Sequence, residues 1–208
     1  MEITSFEKCD KTKSFRVYVD GEFCFSLPEE LFLSLGLYDK KEITEDEIYN
    51  IKEIAAFKNA KSAAVKFAAL KLRTEKEVRG KLEGLGFDDE VADRVISELI
   101  TLGYLNDSVY AEKFILERFK LKPVSKRLLK FELENHGISP VLIDKAIEES
   151  SMDEESIIDS IIKKRFVKHD LNNEKTIKKL KSFLYARGFD LSSIEEGLRR
   201  ARDRDNEV

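Results

Sequence analysis

The chain has 208 residues and a mass of 24.0 kDa, enough for one large domain or two to three small ones with a buried core. The composition, 38% charged and 42% hydrophobic with only 9 Gly and 3 Pro, excludes collagen-like and low-complexity classes and predicts a mainly helical fold. The net charge of −4 is segregated: residues 113–130 hold seven bases and one acid, 163–187 hold nine bases and two acids, and 148–162 hold six acids and no base. An anionic partner would therefore meet local basic patches.

The N-terminal segment has the pattern of a small β-sheet. Residues 15–19 alternate aromatic or β-branched residues with other types, and Asp20-Gly21 follows, a pair that suits a two-residue hairpin turn because both positions require positive φ. Residues 22–26 form the predicted returning strand, and residues 3–8 a third strand beside this pair.

Two helices are expected after the hairpin. Pro28 ends strand pairing and starts a short helix over 28–35, which Gly36 terminates. Thr44 and Glu47 have the spacing of a capping box, which predicts a helix from 45 to about 57.

From about residue 60 the chain is helical and repetitive. Three glycines, Gly86, Gly137 and Gly188, are 51 positions apart, and each suits the left-handed position just past a helix end. An aliphatic residue stands four and eight positions before each glycine, on one helical face. An apolar residue follows each glycine, and after it comes an N-cap type of residue. These N-cap residues are Asp88, Ser139 and Asp190.

Each glycine segment is preceded by a further predicted helix, at about 59–72, 107–120 and 153–168. The predicted fold is therefore mainly α, with three tandem three-helix repeats after a small N-terminal segment that contains a β-hairpin. The tail, 199–208, alternates Arg with acids and is expected to fray. The expected domains are 1–58 (hairpin plus helices), 59–106, 107–152 and 153–203 (repeats one to three).

Candidate catalytic features are sparse. Gly80-Lys81 lacks the spacing of a phosphate loop, and 84–86 lies between helices rather than after a strand, so neither predicts nucleotide binding. His136 precedes Gly137 at a helix end, and His169 lies in a loop-like stretch; neither has metal-ligand spacing. We therefore expect no catalytic residue, no metal, no cofactor and no enzyme activity.

The chain has no apolar run of the roughly 20 residues that a membrane-spanning helix needs. Its first residues lack the basic and apolar regions of a signal peptide. Cys9 and Cys24 could meet across strands, but two reduced thiols are the favoured interpretation. These features predict a cytoplasmic protein with no membrane partner.

Two basic helices are the candidate binding surfaces. In repeat two, Lys126 and Lys130 share a helical face and Arg127 lies beside them, next to the core residues Leu128, Leu129 and Leu133. A similar set of lysines follows residue 174 in repeat three. The alternative is a solvated helix face, but few acids are interspersed, which favours an anionic partner, either a phosphate backbone or an acidic protein surface. The candidate residues are Lys122, Lys126, Arg127, Lys130, Lys175, Lys178, Lys179 and Lys181.

The segments 74–82 with 85–87, 102–111, and 125–138 resemble the helix-loop signatures of the RecX family, bacterial modulators of the RecA recombinase. The resemblance spans roughly 60–200 and is looser in repeat three. Where the family has Leu-Asp-Asp, this chain has Leu105-Asn106-Asp107, which still offers a helix N-cap. The strand-rich N-terminus resembles an extension of some longer members.

The resemblance implies a non-enzymatic regulator that lies along the groove of the RecA–DNA filament and restrains ATP hydrolysis and strand exchange. It implies roles in homologous recombination, DNA repair and the SOS response. We also expect a monomer, whose multiple weak contacts to several protomers of a filament would add through effective concentration. The rival hypothesis is a nucleic-acid binder that uses the same basic helices on single- or double-stranded DNA, and a helical scaffold with other partners also stays open.

Overall fold

A computed structural model describes residues 1–166, 171 and 173–206. Over these residues the fold is mainly helical, with a three-stranded sheet at the N-terminus, which confirms the predicted fold class. The chain divides into two compact units, one of Met1–Lys71 with Val78–Leu105, the other of Leu72–Glu77 with Asn106–Val208. Among the described helices, none is long and apolar enough to cross a membrane.

The N-terminal sheet is antiparallel with strand order β1-β2-β3, formed by β1 (Ile3–Cys9), β2 (Ser14–Val19) and β3 (Glu22–Pro28). Asp20 and Gly21 have φ of 50° and 85°, so the predicted hairpin turn is confirmed. The sheet packs its inner face on α1 (Glu29–Ser34), where buried Val17, Leu27 and Phe32 share one hydrophobic cluster.

The two cysteines stand on different strands of this sheet. Cys9 ends β1 and Cys24 lies in β3, with β2 between them. Both thiols are free.

The helix α2 (Glu45–Leu70) begins at the predicted capping box: Thr44 Oγ1 accepts from the Glu47 amide, and Glu47 Oε2 accepts from the Thr44 amide. The expectation of separate helices at 45–57 and 59–72 is wrong, because α2 is continuous for 26 residues. The residues at the expected break, Phe57-Lys58-Asn59, include no Gly or Pro, so nothing there ends a helix. The domain boundary between 58 and 59, which falls inside α2, stays a prediction.

The core of the first unit has two clusters, and α2 contributes to both: Ile48, Ile51 and Ala55 pack beneath the sheet, whereas Ala60 and Ala64 pack in the second cluster with the helices that follow. One long helix therefore supports both the sheet and the first helical repeat. The remaining helices are α3 (Glu75–Glu83), α4 (Asp89–Thr101), α5 (Asp107–Leu121), α6 (Lys126–Asn135), α7 (Pro140–Glu149), α8 (Glu154–Arg165), α9 (Glu174–Tyr185) and α10 (Leu191–Asn206).

The repeat signature is confirmed. Gly86, Gly137 and Gly188 have φ of 85°, 87° and 86° and follow α3, α6 and α9. Left-handed backbone of this kind favours glycine. The six aliphatic residues before these glycines are all buried. They are Val78, Leu82, Leu129, Leu133, Leu180 and Leu184.

The predicted N-caps are confirmed in part. Asp88 and Asp190 accept hydrogen bonds from the amides of Val91 and Ser193, each at 2.8 Å. Ser139 occupies the N-cap of α7 but makes no side-chain cap bond, so the helix start there depends on Pro140 at its first position.

The expected fraying of the tail is wrong, because α10 continues to Asn206. Arg200 forms ion pairs with Asp159 at 3.1 Å and with Glu155 at 3.2 Å, and Arg202 donates to the Leu171 carbonyl at 3.0 Å. Acids of the 148–162 block thus meet arginines of the tail, which fixes α10 on α8. The last two residues, 207–208, lie outside the described part of the chain.

Candidate anion-binding surfaces

The predicted basic surface of repeat two lies around α6. Ser125 Oγ accepts from the Leu128 amide at 3.1 Å and starts the helix. Buried Leu129 and Leu133 then hold one side in the core, whereas Leu128 is only half-buried. This anchoring turns Arg127 and Lys130 to the exposed side.

One of the three bases of α6 is paired within the chain. Lys130 Nζ pairs with Asp144 at 2.5 Å. Lys126 is half-buried at the first helical position, and its amide donates to Glu154 Oε1 at 2.5 Å. Arg127 and Lys122 are exposed and form no ion pair with a described residue.

The predicted basic surface of repeat three lies on α9. Asn173 Oδ1 accepts from the Lys175 amide at 2.9 Å and caps the helix. Lys175, Lys178 and Lys179 are exposed, and none forms an ion pair within the described residues. Lys181 is half-buried and pairs with Glu195 at 2.8 Å. Three of the four predicted lysines are therefore available to an anion.

A third basic stretch was missed at the sequence level. Residues 54–74 contain five basic residues and no acid, and this acid-free run was the signal that could have identified it. In the first unit, a groove of about 1070 Å³ is lined by the bases Lys13, Lys58, Lys61 and Lys66 and by the acids Glu29 and Glu30. Lys61 also pairs with Glu98 at 2.5 Å.

Two arginines outside the predicted set also come together. Arg165 ends α8 and Arg187 follows α9, and both guanidinium groups lie over the ring of Phe183. Their closeness depends on tertiary packing of residues 22 positions apart, which no local pattern shows.

The described residues offer little for catalysis. They contain no group of three or more His, Cys, Asp or Glu residues that could hold a metal ion. His136 caps the C-terminus of α6, with Nδ1 3.3 Å from the Tyr110 hydroxyl and 3.5 Å from Glu77. Gly80 lies inside α3 rather than in a loop. His169 lies outside the described residues.

Two family models match the helical part of the chain. Residues 60–99 match the first three-helix domain of RecX, and residues 106–147 match its second three-helix domain. These matches cover the first two repeats of the structure.

Curated relatives extend the similarity to nearly the whole chain. The chain is 33% identical over 199 residues to "Regulatory protein RecX" of Caldanaerobacter subterraneus subsp. tengcongensis, covering 95% of this chain and 98% of the relative. It is also 33% identical to the protein of the same name from Clostridium acetobutylicum, covering 95% of this chain and 94% of the relative. The similarity to these relatives therefore extends beyond the residues that the two family models match.

Solved structures show the same fold. "Crystal structure of regulatory protein RecX" matches with a TM-score of 0.68 at 20% identity, covering 93% of this chain and 97% of that one. RecX from Lactobacillus salivarius matches with a TM-score of 0.57 at 23% identity, covering 70% and 96%.

Proposed function

The chain belongs to the RecX family of regulatory proteins, and on that premise we propose that it binds the RecA–DNA filament along its groove and modulates, mainly by inhibition, RecA ATP hydrolysis and strand exchange. The observation that carries this proposal is the match to both RecX three-helix domains within relatives of almost equal length. The regulator itself is proposed to be non-enzymatic.

The charged surfaces support an anionic partner. Lys175, Lys178 and Lys179 on α9 and Arg127 on α6 project charge that no described acid neutralises. Several such contacts, each weak, add when a partner repeats along a filament, because the second contact forms at high effective concentration. These residues, with Lys122, Lys126, Lys130 and Lys181, are the proposed contact set.

The second candidate is direct binding to single- or double-stranded DNA through the same helices. The α9 lysines that form no ion pair within the described residues favour it, since binding to a phosphate backbone depends mainly on charge rather than on a shaped surface. RecA would then be unnecessary for binding.

Binding to bare and to RecA-coated DNA, measured over a range of salt concentrations, tests both candidates. The proposal expects tight binding to the coated DNA and weaker, steeply salt-dependent binding to bare DNA. Equal affinity and equal salt dependence on both would favour the nucleic-acid binder. ATP hydrolysis by the chain alone would contradict its non-enzymatic role.

A further inference from the structure

The ring of Phe183 lies beneath two cations. The Arg165 Cζ is 4.3 Å and the Arg187 Cζ is 4.2 Å from the ring centroid, both within cation–π range. Phe183 is half-buried and makes an edge-to-face contact with buried Phe166, with ring centroids 6.2 Å apart. The ring on which the two guanidinium groups stack is therefore packed against the hydrophobic core. We call Arg165, Phe183 and Arg187 the Phe183 cluster.

The cluster holds positive charge without a counterion among the residues that the structure describes. Neither Arg165 nor Arg187 forms an ion pair with any described carboxylate. Arg187 Nη1 donates to the Pro123 carbonyl at 3.4 Å, but its Nε is buried and has no hydrogen-bond partner. Burial lowers the pKa of Arg187, and the neighbouring charges of Arg165 and Arg118 lower it further. Such a group is stabilised by an acceptor that brings negative charge.

The preceding repeat shows which acceptor fits. There, Glu132 accepts from Arg118 Nε at 2.8 Å and also bonds Nη2 of the same guanidinium. The position 51 residues after Glu132 is Phe183. The repeat-three position has thus exchanged a carboxylate for a ring.

A second exchange points the same way. In repeat two, the residue before the turn glycine is His136, which lies 3.5 Å from the Glu77 carboxylate. The positions 51 residues after His136 and Glu77 are Arg187 and Leu128. Each of these two carboxylates thus has an apolar counterpart 51 residues on: Glu132 of repeat two corresponds to Phe183 of repeat three, and Glu77 of repeat one corresponds to Leu128 of repeat two.

We propose that the Phe183 cluster binds a carboxylate side chain of a protein partner, which takes the place of the internal carboxylates that serve Arg118 and His136. The planar guanidinium of Arg165 is exposed and can meet a carboxylate through two parallel N–H donors. The identification of that partner as a protomer of the RecA filament rests on the proposed function.

The first test needs no RecA. A tetraglutamate peptide with blocked termini and an eight-residue oligothymidylate are titrated into the full chain while the Nε–Hε resonances of Arg165 and Arg187 are followed by NMR. The peptide should shift both resonances at several-fold lower concentration than the oligonucleotide, and Arg165→Gln should weaken the peptide effect at least fivefold. A stronger response to the oligonucleotide, or no response to either probe, would overturn the proposal.

The second test uses filaments. Arg165→Gln should weaken binding to RecA-coated DNA about five- to tenfold, while Arg165→Lys retains part of the affinity. Arg94→Gln is the matched control, because Arg94 also lies over a ring, 4.8 Å from the Phe57 centroid, but has a carboxylate, Glu53, at 3.9 Å. All variants should melt like the wild type.

The outcomes separate the two proposals. If the wild-type chain does not bind the filament, the proposed function is overturned. The peptide titration then still tests whether the Phe183 cluster binds a carboxylate. The inference is overturned if Arg165→Gln binds the filament as tightly as the wild type does. It is also overturned if Arg94→Gln weakens binding as much as Arg165→Gln does.

Discussion

Repeats two and three have the same buried pattern but use their surface charge differently. In α6, Leu129 and Leu133 are buried as Leu180 and Leu184 are in α9. On the exposed side, however, Lys130 of α6 is paired with Asp144. Three lysines of α9 have no partner among the described residues.

This difference shows that a run of basic residues on a predicted helix does not by itself give a basic surface, because acids from other elements can pair with those residues in the fold. The Lys130 side chain of α6 is paired with Asp144 of α7, and Glu154 of α8 accepts a hydrogen bond from the Lys126 backbone amide. Within the described residues, the one ion pair of the candidate lysines of α9 is that of Lys181 with Glu195. A partner should therefore encounter more exposed, unpaired charge on α9, with three lysines, than on α6, where Arg127 is exposed and Lys126 is half-buried, although repeat two has the stronger family signature.

Because the two repeats bury equivalent leucines, the same substitution at each should lower the free energy of unfolding by a similar amount. Leu133→Ala and Leu184→Ala each remove a side chain that is 0% exposed. Each should lower the free energy of unfolding by roughly 2–5 kcal/mol, because the cavity adds to the lost burial. Urea denaturation measures both, and a loss at one site alone would show that the two cores are not equivalent.

The turn glycines should rank by what surrounds them. Gly86→Ala carries only the cost of left-handed backbone, about 1–2 kcal/mol, because nothing lies within 4 Å of the added Cβ. Gly137→Ala would place that atom 2.5 Å from Lys76 Cβ, and Gly188→Ala would overlap Ser125 Oγ and Leu128 Cβ, adding roughly 1–3 kcal/mol. Thermal unfolding of the three variants ranks their losses of stability. Equal losses at all three positions would contradict the close packing around Gly137 and Gly188.

Charge reversal on α9 and on α6 should affect stability differently. Reversal of Lys175, Lys178 and Lys179 to Glu should leave stability within about 0.5 kcal/mol per residue and weaken filament binding about tenfold or more. Reversal of Lys126, Arg127 and Lys130 should also weaken binding, but with a loss of stability of about 1 kcal/mol, since Lys130→Glu would face Asp144.

Melting curves and inhibition of RecA ATP hydrolysis are measured for both triple variants. An α9 reversal that inhibits normally would remove that helix from the interface. An α6 reversal that melts like the wild type would mean that the Lys130–Asp144 ion pair contributes nothing to stability.

The smallest contrast is between two N-caps. Asp190→Ala should cost about 1 kcal/mol, whereas Ser139→Ala should cost a few tenths, because only Asp190 makes side-chain cap bonds. Hydrogen bonds from Ser192 and Ser193 lower the pKa of Asp190 from 3.8 to about 2.

Since the folded pKa of Asp190 is the lower one, its stabilisation is fully present above about pH 4 and is lost as the pH falls through about 2. The difference between wild type and Asp190→Ala, measured by denaturation at several pH values, should therefore shrink in acid. A difference that is constant from pH 6 to pH 2 would contradict this.

Local patterns were enough for much of this fold. The Asp20-Gly21 turn, the Thr44 capping box and the three turn glycines are each decided by residues a few positions apart, and all were predicted correctly. The aliphatic positions before each glycine, predicted to share one face of a helix, also proved buried.

The errors arose where distant residues decide the structure. The tail was expected to fray because Arg200 has few apolar neighbours in sequence, but its partner Asp159 is 41 positions away. The Phe183 cluster and the Lys130–Asp144 pair were missed for the same reason: charge in a sequence does not show which acids the fold will bring beside it. The break expected near residue 58 had a different cause, since two helical patterns met without a breaker between them.

The uninterrupted α2 has a mechanical consequence. At 1.5 Å per residue its 26 residues form a rod about 39 Å long, with the sheet packed at one end and Ala60 and Ala64 embedded in the next cluster. Helices without Pro or a bulge bend only gently. A displacement of the N-terminal sheet is therefore expected to tilt α2 and to reach the first repeat, because both pack on the same stiff helix.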